Sequence, residues 1–350
     1  MTSDAGSSAA DGVSVGIDIG GTKVLGVVLN AADRVMAETR VPTPRGRRGG
    51  GPAWAPEEGV EVAGVIADVV ARLLASSGSP AGRPADAAPV GVGVPGMLDR
   101  QERLLLSPNL TDAQGVDWRE LMRSRLAGRR VVIENDANLA VLAEHRLGAA
   151  RGYRHVVMVT LGTGIGGGVI VDGRVQVGAN GFCGEIGHMV VDPAGPPCPC
   201  GRRGCWERFA SGGGLGLLAR EAALAGTLPG VVALAGGDPE GVRGEDVTAA
   251  ALSGDRDARR VLEQVGWWVG FGLANLASVL DPECFVIGGG LASAGDLLLT
   301  AARRAYSELV LGGSVRPPTA IVPARFGERA GAVGAAWAAR HGGLWGTGEG

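Results

Sequence analysis

The sequence predicts an α/β chain folded as two lobes, each built on a sheet that opens with a strand running into a glycine turn. Three observations carry this. At 350 residues the chain exceeds what one hydrophobic core ordinarily encloses, and a hydrophobic content of 45% is ample for two. Apolar runs of strand length alternate with segments of helical period. The strand and turn Ser14–Gly21 are echoed by Thr160–Gly164, which reads as a duplicated α/β unit with a cleft between the copies.

Residues 1–12 lack periodicity and are expected to be disordered. SVGIDIGG, VLGVVLN and VMAETRV then read as a three-stranded meander, divided by Gly20-Gly21 and by Asn30-Ala-Ala-Asp33. Residues 42–56 are rich in Pro, Gly and Arg and form a solvated loop. Glu58–Ala75 has helical spacing, acids early and Arg72 late, as the helix dipole favours. PVGVGVPG is a strand, WRELMRSRLAG a helix, and RRVVIEND a strand leading directly into a helix from Ala137 to Leu147. HVVMVTLGTGIGGGVIVDGRV reads as strand, glycine turn, strand and Asp-Gly hairpin.

Farther on the chain becomes mainly helical, with a mobile Gly/Pro-rich connection from about Gly226 to Gly244 and one interrupting strand, CFVIGGG. Val265–Leu280, an uncharged apolar stretch, falls short of the roughly 20 residues of a membrane span and reads as a buried helix. The lobes are expected at 13–135 and 136–327. A helix at about 328–342 returns to complete the first, and a disordered tail follows at 343–350.

A net charge of −3 gives no long-range attraction to nucleic acid or anionic lipid, and the cluster Arg45, Arg47, Arg48 lies in the Pro/Gly loop. The first residues have neither a basic n-region nor an apolar h-region, so a cytoplasmic protein is expected, with neither nucleic acid nor membrane as partner.

Chemistry concentrates between Glu185 and Glu207. His188, Cys198, Cys200 and Cys205 form a Cys3His set, with a C-x-C-x4-C spacing and the histidine ten residues upstream. Three thiolates and an imidazole suit tetrahedral Zn2+ and leave no position for a reactive water, so the predicted metal is structural. Cys284 reads as strand core, and Cys183 has no assigned role.

Gly162–Gly167 matches the dinucleotide fingerprint GxGxxG, but a second strand follows where that fingerprint needs a helix. What remains is a pair of glycine turns at strand ends, Gly20-Gly21-Thr22 and Gly162-Thr163-Gly164, whose backbone amides can approach phosphate oxygens closely. Lys23, the only lysine among 33 basic residues, follows the first turn as a compact positive charge. Asp18, at the end of the first strand, can hold Mg2+ directly or through water. Asp136 lies in Glu134-Asn135-Asp136-Ala137-Asn138 at a strand-to-helix junction, where Asn135 or Asp136 can serve as N-cap. Phosphoryl transfer to an alcohol needs positioning, charge neutralisation and a carboxylate to accept the hydroxyl proton. One aspartate for the cation and one as base meets that demand.

These motifs together, DIGGTK at 18–23, VPG at 94–96, SPNL at 107–110, ENDAN at 134–138, LGTGIGGG at 161–168, GEIGH at 184–188, CPCGRRGCWE at 198–207 and VIGGG at 286–290, resemble the ROK family of sugar kinases and sugar-responsive repressors. The resemblance implies an actin-like ATPase fold of ribonuclease-H-like lobes with a zinc-binding loop at 184–207. It implies Asp136 as base and Gly96, Asn109, Asn135, Asp136, Glu185, His188 and Glu207 around a sugar. Beside the Mg2+ position at Asp18, it places ATP phosphates at Gly20, Gly21, Thr22, Lys23, Thr163 and Gly164, and the nucleoside near Gly288, Gly289 and Gly290. Zinc on one ring nitrogen of His188 would leave the other for a sugar hydroxyl. The implied reaction transfers the ATP γ-phosphoryl group to the 6-hydroxyl of glucose. The alternatives are N-acetylmannosamine, fructose or allose as substrate, or a regulator. The cysteine motif weighs against the polyphosphate-dependent branch, and the 17 residues before Asp18 leave no room for the helix-turn-helix of a repressor. The family also implies a homodimer or higher homo-oligomer.

Overall fold

The computed structural model describes residues 12–44, 56–76, 88–107, 117–126 and 128–344. The expected disordered segments 1–12 and 343–350, and the loop at 42–56, fall mostly outside these. The chain divides into two compact units, Met1–Arg151 with Arg174–Cys183 and Arg329–Gly350, and Gly152–Gly173 with Gly184–Glu328. Against a boundary at 135/136 read from the sequence, the first unit continues to Arg151.

In the first unit the order is β1 (Ser14–Ile19), β2 (Lys23–Leu29), β3 (Val35–Pro42), α1 (Pro56–Ser76), β4 (Val90–Val94), a short hairpin of β5 (Met97–Leu98) and β6 (Leu104–Leu106), α2 (Trp118–Arg125), β7 (Val131–Asn135) and α3 (Asp136–Leu147). The sheet runs β3-β2-β1-β4-β7, antiparallel through the meander and parallel from β1 to β7. Helix α1 buries Val62, Ala63, Ile66, Val69, Val70, Leu73 and Leu74, a stripe recurring every three or four residues. Leu73 and Val69 of that stripe meet Gly26 of β2 on one face of the sheet.

The C-terminal helix (Ala330–His341) covers the opposite face. A Cβ on Gly16 of β1 would strike the backbone of Ala332, and one on Gly91 of β4 the backbone of Ala335. The helix therefore lies backbone to backbone on the sheet, which is why eight of its twelve residues are alanine or glycine. Gly334 gives α3 the same close approach, its missing Cβ replaced by the Leu139 carbonyl. At the helix's far end buried Arg340 donates to Asp33 Oδ1 at 2.7 Å and to the Leu29 carbonyl at 3.0 Å, tying it to the β2–β3 turn.

In the second unit β8 (Val156–Leu161) and β9 (Ile165–Val171) form a hairpin, and β11 (Cys284–Gly288) and β12 (Ala320–Pro323) extend the sheet in parallel, in the order β9-β8-β11-β12. The two-residue β10 (Arg174–Val175), which belongs to the first unit, follows the turn after β9, where Asp172 and Gly173 take φ of 52° and 77°. Each sheet thus opens with an antiparallel hairpin and continues in parallel. The helices are α4 (Glu207–Ala210), α5 (Gly212–Leu224), α6 (Pro229–Leu234), α7 (Gly244–Leu252), α8 (Arg256–Leu280) and α9 (Asp296–Leu309). Val157, Val159, Phe285 and Ile287 from the sheet pack with Leu262, Val265, Val269 and Leu273 of α8. The connection expected to be irregular from Gly226 to Gly244 contains α6, started by Pro229 at its first turn and anchored by buried Val231. Among the described residues no helix is long and apolar enough to cross a membrane.

Candidate functional site

In the second unit the segment after β9 closes on itself. Isolated bridges pair Val190 with Cys205 and Pro197 with Arg203, and Trp206 N–H donates to the Met189 carbonyl at 2.8 Å. Gly201 and Gly204, at φ of 88° and 64°, make the tight reversals, each with a backbone bond behind it: Gly201 N–H to Cys198 and Gly204 N–H to Pro196. Trp206 fixes the knot to the core. Its indole N–H donates to the Trp268 carbonyl of α8 at 2.7 Å, and its ring occupies the place of a side chain at Gly272.

This backbone brings the donor atoms of His188, Cys198, Cys200 and Cys205 to within 4.8 Å of one another. Cys198 Sγ lies 3.8 Å from His188 Nδ1, and Cys200 Sγ lies 3.6 Å from Cys205 Sγ. Zinc held at about 2.3 Å by sulfur in a tetrahedron needs donors about 3.8 Å apart, so the set fits Zn2+. Nδ1 is the ring nitrogen that faces Cys198 Sγ, leaving Nε2 as the other edge of the ring. The three thiols differ: hydrogen bonds from Arg202 and the neighbouring thiols hold Cys200 down to about 6 against burial, whereas burial raises Cys198 and Cys205.

Glu207 Oε1 accepts from Cys198 Sγ at 2.9 Å and lies 3.7 Å from His188 Nδ1. Its other oxygen, Oε2, lies against Gly164, where a Cβ would collide with it. Surrounding protein raises the Glu185 carboxyl although the residue is exposed, with His188 opposing and Glu207 adding. The turn between β8 and β9 is closed by Gly162 N–H to the Gly164 carbonyl at 3.0 Å. Gly288 ends β11, Gly289 takes φ of 84° against the Leu161 backbone, and open space adjoins Gly290.

In the first unit the register aligns Asp18 with Gly93 and Gly93 with Glu134, so Asp18 and the β7–α3 junction share the C-terminal edge of the parallel strands. Asn135 is the N-cap of α3: its Oδ1 accepts the Asn138 N–H at 3.0 Å, while its Nδ2 donates to the Gly96 carbonyl at 3.0 Å. Asp136 is thereby the first residue of the helix, at the positive end of its dipole. Burial and the Asp136 carboxylate push Asp18 up to about 8, against the pull of Lys23. Two carboxylates beside a lysine are a donor set that fits a divalent cation such as Mg2+. The Gly20 turn is closed by Gly20 N–H to the Lys23 carbonyl at 2.8 Å.

The first unit therefore carries Asp18, Gly20, Gly21, Thr22, Lys23, Gly96, Asn135 and Asp136, and the second the remaining candidates except Asn109, which lies outside the described residues. Three neighbours escaped the sequence reading. Thr43 donates its hydroxyl to the Gly20 carbonyl at 2.6 Å, and Gly331 leaves room for the Asp18 carboxylate. Both lie far along the chain from their partners. Glu134, half-buried and with its carboxyl raised by desolvation, accepts from Asn135 N–H at 2.8 Å and from Asn138 Nδ2 at 3.2 Å. An acid beside the Asn-Asp pair was the signal for it.

Residues 14–341 match the ROK family, and the chain belongs to it. It is 37% identical over 337 residues to the glucokinase of Streptomyces coelicolor, covering 94% of this chain and 98% of that one. A ROK family glucokinase from Streptomyces griseus, solved with glucose and AMPPNP, superposes with a TM-score of 0.80 at 34% identity, over 94% of this chain and 99% of the other. The ROK hexokinase of Thermus thermophilus gives a TM-score of 0.68 at 35% identity, over 93% and 96%. The two-sheet α/β fold is accordingly the actin-like fold of ROK proteins, with a Cys3His cluster of zinc-binding type.

Proposed function

We propose that this protein is an ATP-dependent glucokinase with Asp136 as general base. The observation that supports this best is the place of Asp136, first in α3 and coupled to Asp18 at the ends of the parallel strands, in a chain similar to a glucokinase that binds glucose and AMPPNP. Asn109, Asn135, Glu185, His188 and Glu207 hold the sugar hydroxyls, with Gly96 beside the ring. Asp136 accepts the proton of the 6-hydroxyl as that oxygen bonds to the γ-phosphorus and ADP departs. Amides of Gly20, Gly21, Thr22 and Lys23, and of Thr163 and Gly164, hold phosphate oxygens, and Gly288, Gly289 and Gly290 border the nucleoside. Asp18 holds Mg2+, which when bound neutralises phosphate charge. His188 Nδ1, Cys198, Cys200 and Cys205 would hold Zn2+, which would supply no reaction chemistry; with Nδ1 engaged there, His188 presents Nε2 to the sugar.

The test is a coupled assay with glucose, N-acetylmannosamine, fructose and allose, with ATP or polyphosphate as donor. Glucose with ATP is expected to give the highest kcat/KM. Preference for another sugar replaces the substrate, and no turnover with any pair rejects the kinase reading. Asp136→Asn should lower kcat by about 100-fold or more while glucose still binds.

A further inference from the structure

We infer that Ser211 is a positioning residue that sets the direction in which the peptide planes of the Gly162–Gly164 turn face. This rests on the reading of that turn as a phosphate cradle. Ser211 is 1% exposed and caps α5, its Oγ accepting the Gly214 N–H at 3.0 Å. The same oxygen lies 3.0 Å from the Thr163 carbonyl and 2.6 Å from the Glu207 carbonyl, so its single proton serves two acceptors. The next two amides also turn to the glycine turn, Gly212 N–H to the Gly162 carbonyl at 2.8 Å and Gly213 N–H to the Thr163 carbonyl at 3.2 Å.

The first amides of a helix have no partner within it, and they are the groups that would ordinarily bind an anion. Here Gly212, Gly213 and Gly214 are all occupied by the turn and by the Ser211 hydroxyl. The helix terminus is thus a template for the turn rather than an anion site itself. In a trans peptide the carbonyl and the following N–H point in opposite directions. Holding the Gly162 carbonyl toward α5 aims the Thr163 N–H away from it, and holding the Thr163 carbonyl does the same for the Gly164 N–H. Those two amides are the ones assigned to phosphate oxygens. With glycine on both sides of Thr163, either plane could otherwise rotate at little cost. Removing the hydroxyl leaves the Thr163 carbonyl only its longer bond to Gly213. The Glu207 carbonyl, on the other side of that hydroxyl, joins this arrangement to the segment that ends the Cys3His knot.

Two substitutions separate positioning from capping. Ser211→Ala removes both functions, whereas Ser211→Gly removes the hydroxyl but keeps a residue that starts helices nearly as well as serine. Calorimetric titration of the zinc-loaded protein with Mg2+-AMPPNP should give a Kd about tenfold weaker in both variants. Steady-state KM for ATP should rise with it while kcat changes by less than about twofold, the pattern of lost uniform binding. Glucose Kd and zinc content should match the wild type, and Ser211→Thr, which keeps the hydroxyl, should restore most of the nucleotide affinity. Unchanged nucleotide affinity in Ser211→Gly overturns the assignment, as do parallel losses of nucleotide, glucose and zinc. A wild-type protein that binds no nucleotide rejects the kinase reading and this inference together. A wild type that binds it as well as Ser211→Gly does rejects Ser211 alone.

Discussion

Asn135 uses both polar ends of its side chain on the protein, one to start α3 and one to hold Gly96, which makes Asp136 the first residue of the helix, where its Oδ1 accepts the Ala137 N–H at 2.9 Å. Sequence alone left the cap open between the two residues, because either side chain can reach the same amide. The charge on Asp18 was equally hidden, since it depends on Asp136, which lies over a hundred residues away. Its consequence can be measured. A carboxyl raised to about 8 from an ordinary 3.8 gives the folded state an advantage that is complete below pH 3.8 and lost as pH climbs through 8. Without nucleotide or divalent cation, Asp18→Asn should therefore raise Tm relative to the wild type by a margin that grows from pH 4 to pH 8. A margin independent of pH in thermal melts would contradict the coupling. The metal ligands, by contrast, were legible because they sit within one short stretch whose spacing already encodes the tetrahedron.

At the scale of elements, the Cys3His knot is a loop without regular structure, held by four metal donors and by one tryptophan pressed onto a glycine of α8. Cys200→Ser is expected to reduce zinc from one equivalent per chain to a small fraction, and to weaken glucose binding by roughly 10–100-fold through the loosened His188 ring. Metal analysis beside glucose titration checks this, and full zinc content with normal affinity would remove Cys200 from the ligand set. Strands and long helices were readable from period and from glycine or proline punctuation. Helix α6 was not, because six residues are too few for a period to declare itself, and its glycine- and proline-rich surroundings read as coil. The β5–β6 hairpin went unseen for the same reason of length.

Across the whole molecule the repeated strand-and-turn theme translated into two sheets with the same opening. The glycines that decide how the first is covered carried no such signal. Gly16 and Gly91 looked like ordinary small residues in strands, and only the C-terminal helix lying on them gives them a reason. Gly91→Ala should destabilise the protein by about 1–3 kcal/mol through overpacking, read as a lower Tm with glucose affinity retained in the protein that remains folded. An unchanged Tm would mean the helix can shift aside. Among the described residues this covering helix follows every other helix along the chain. A ribosome that has released the first sheet must make nearly two hundred further residues before the groove over Gly16 and Gly91 is filled, while the second unit needs nothing from either terminus to close its core. Translation should therefore yield a finished downstream half beside an upstream half still open along one side, the moment at which a chaperone or a protease would find this chain most vulnerable.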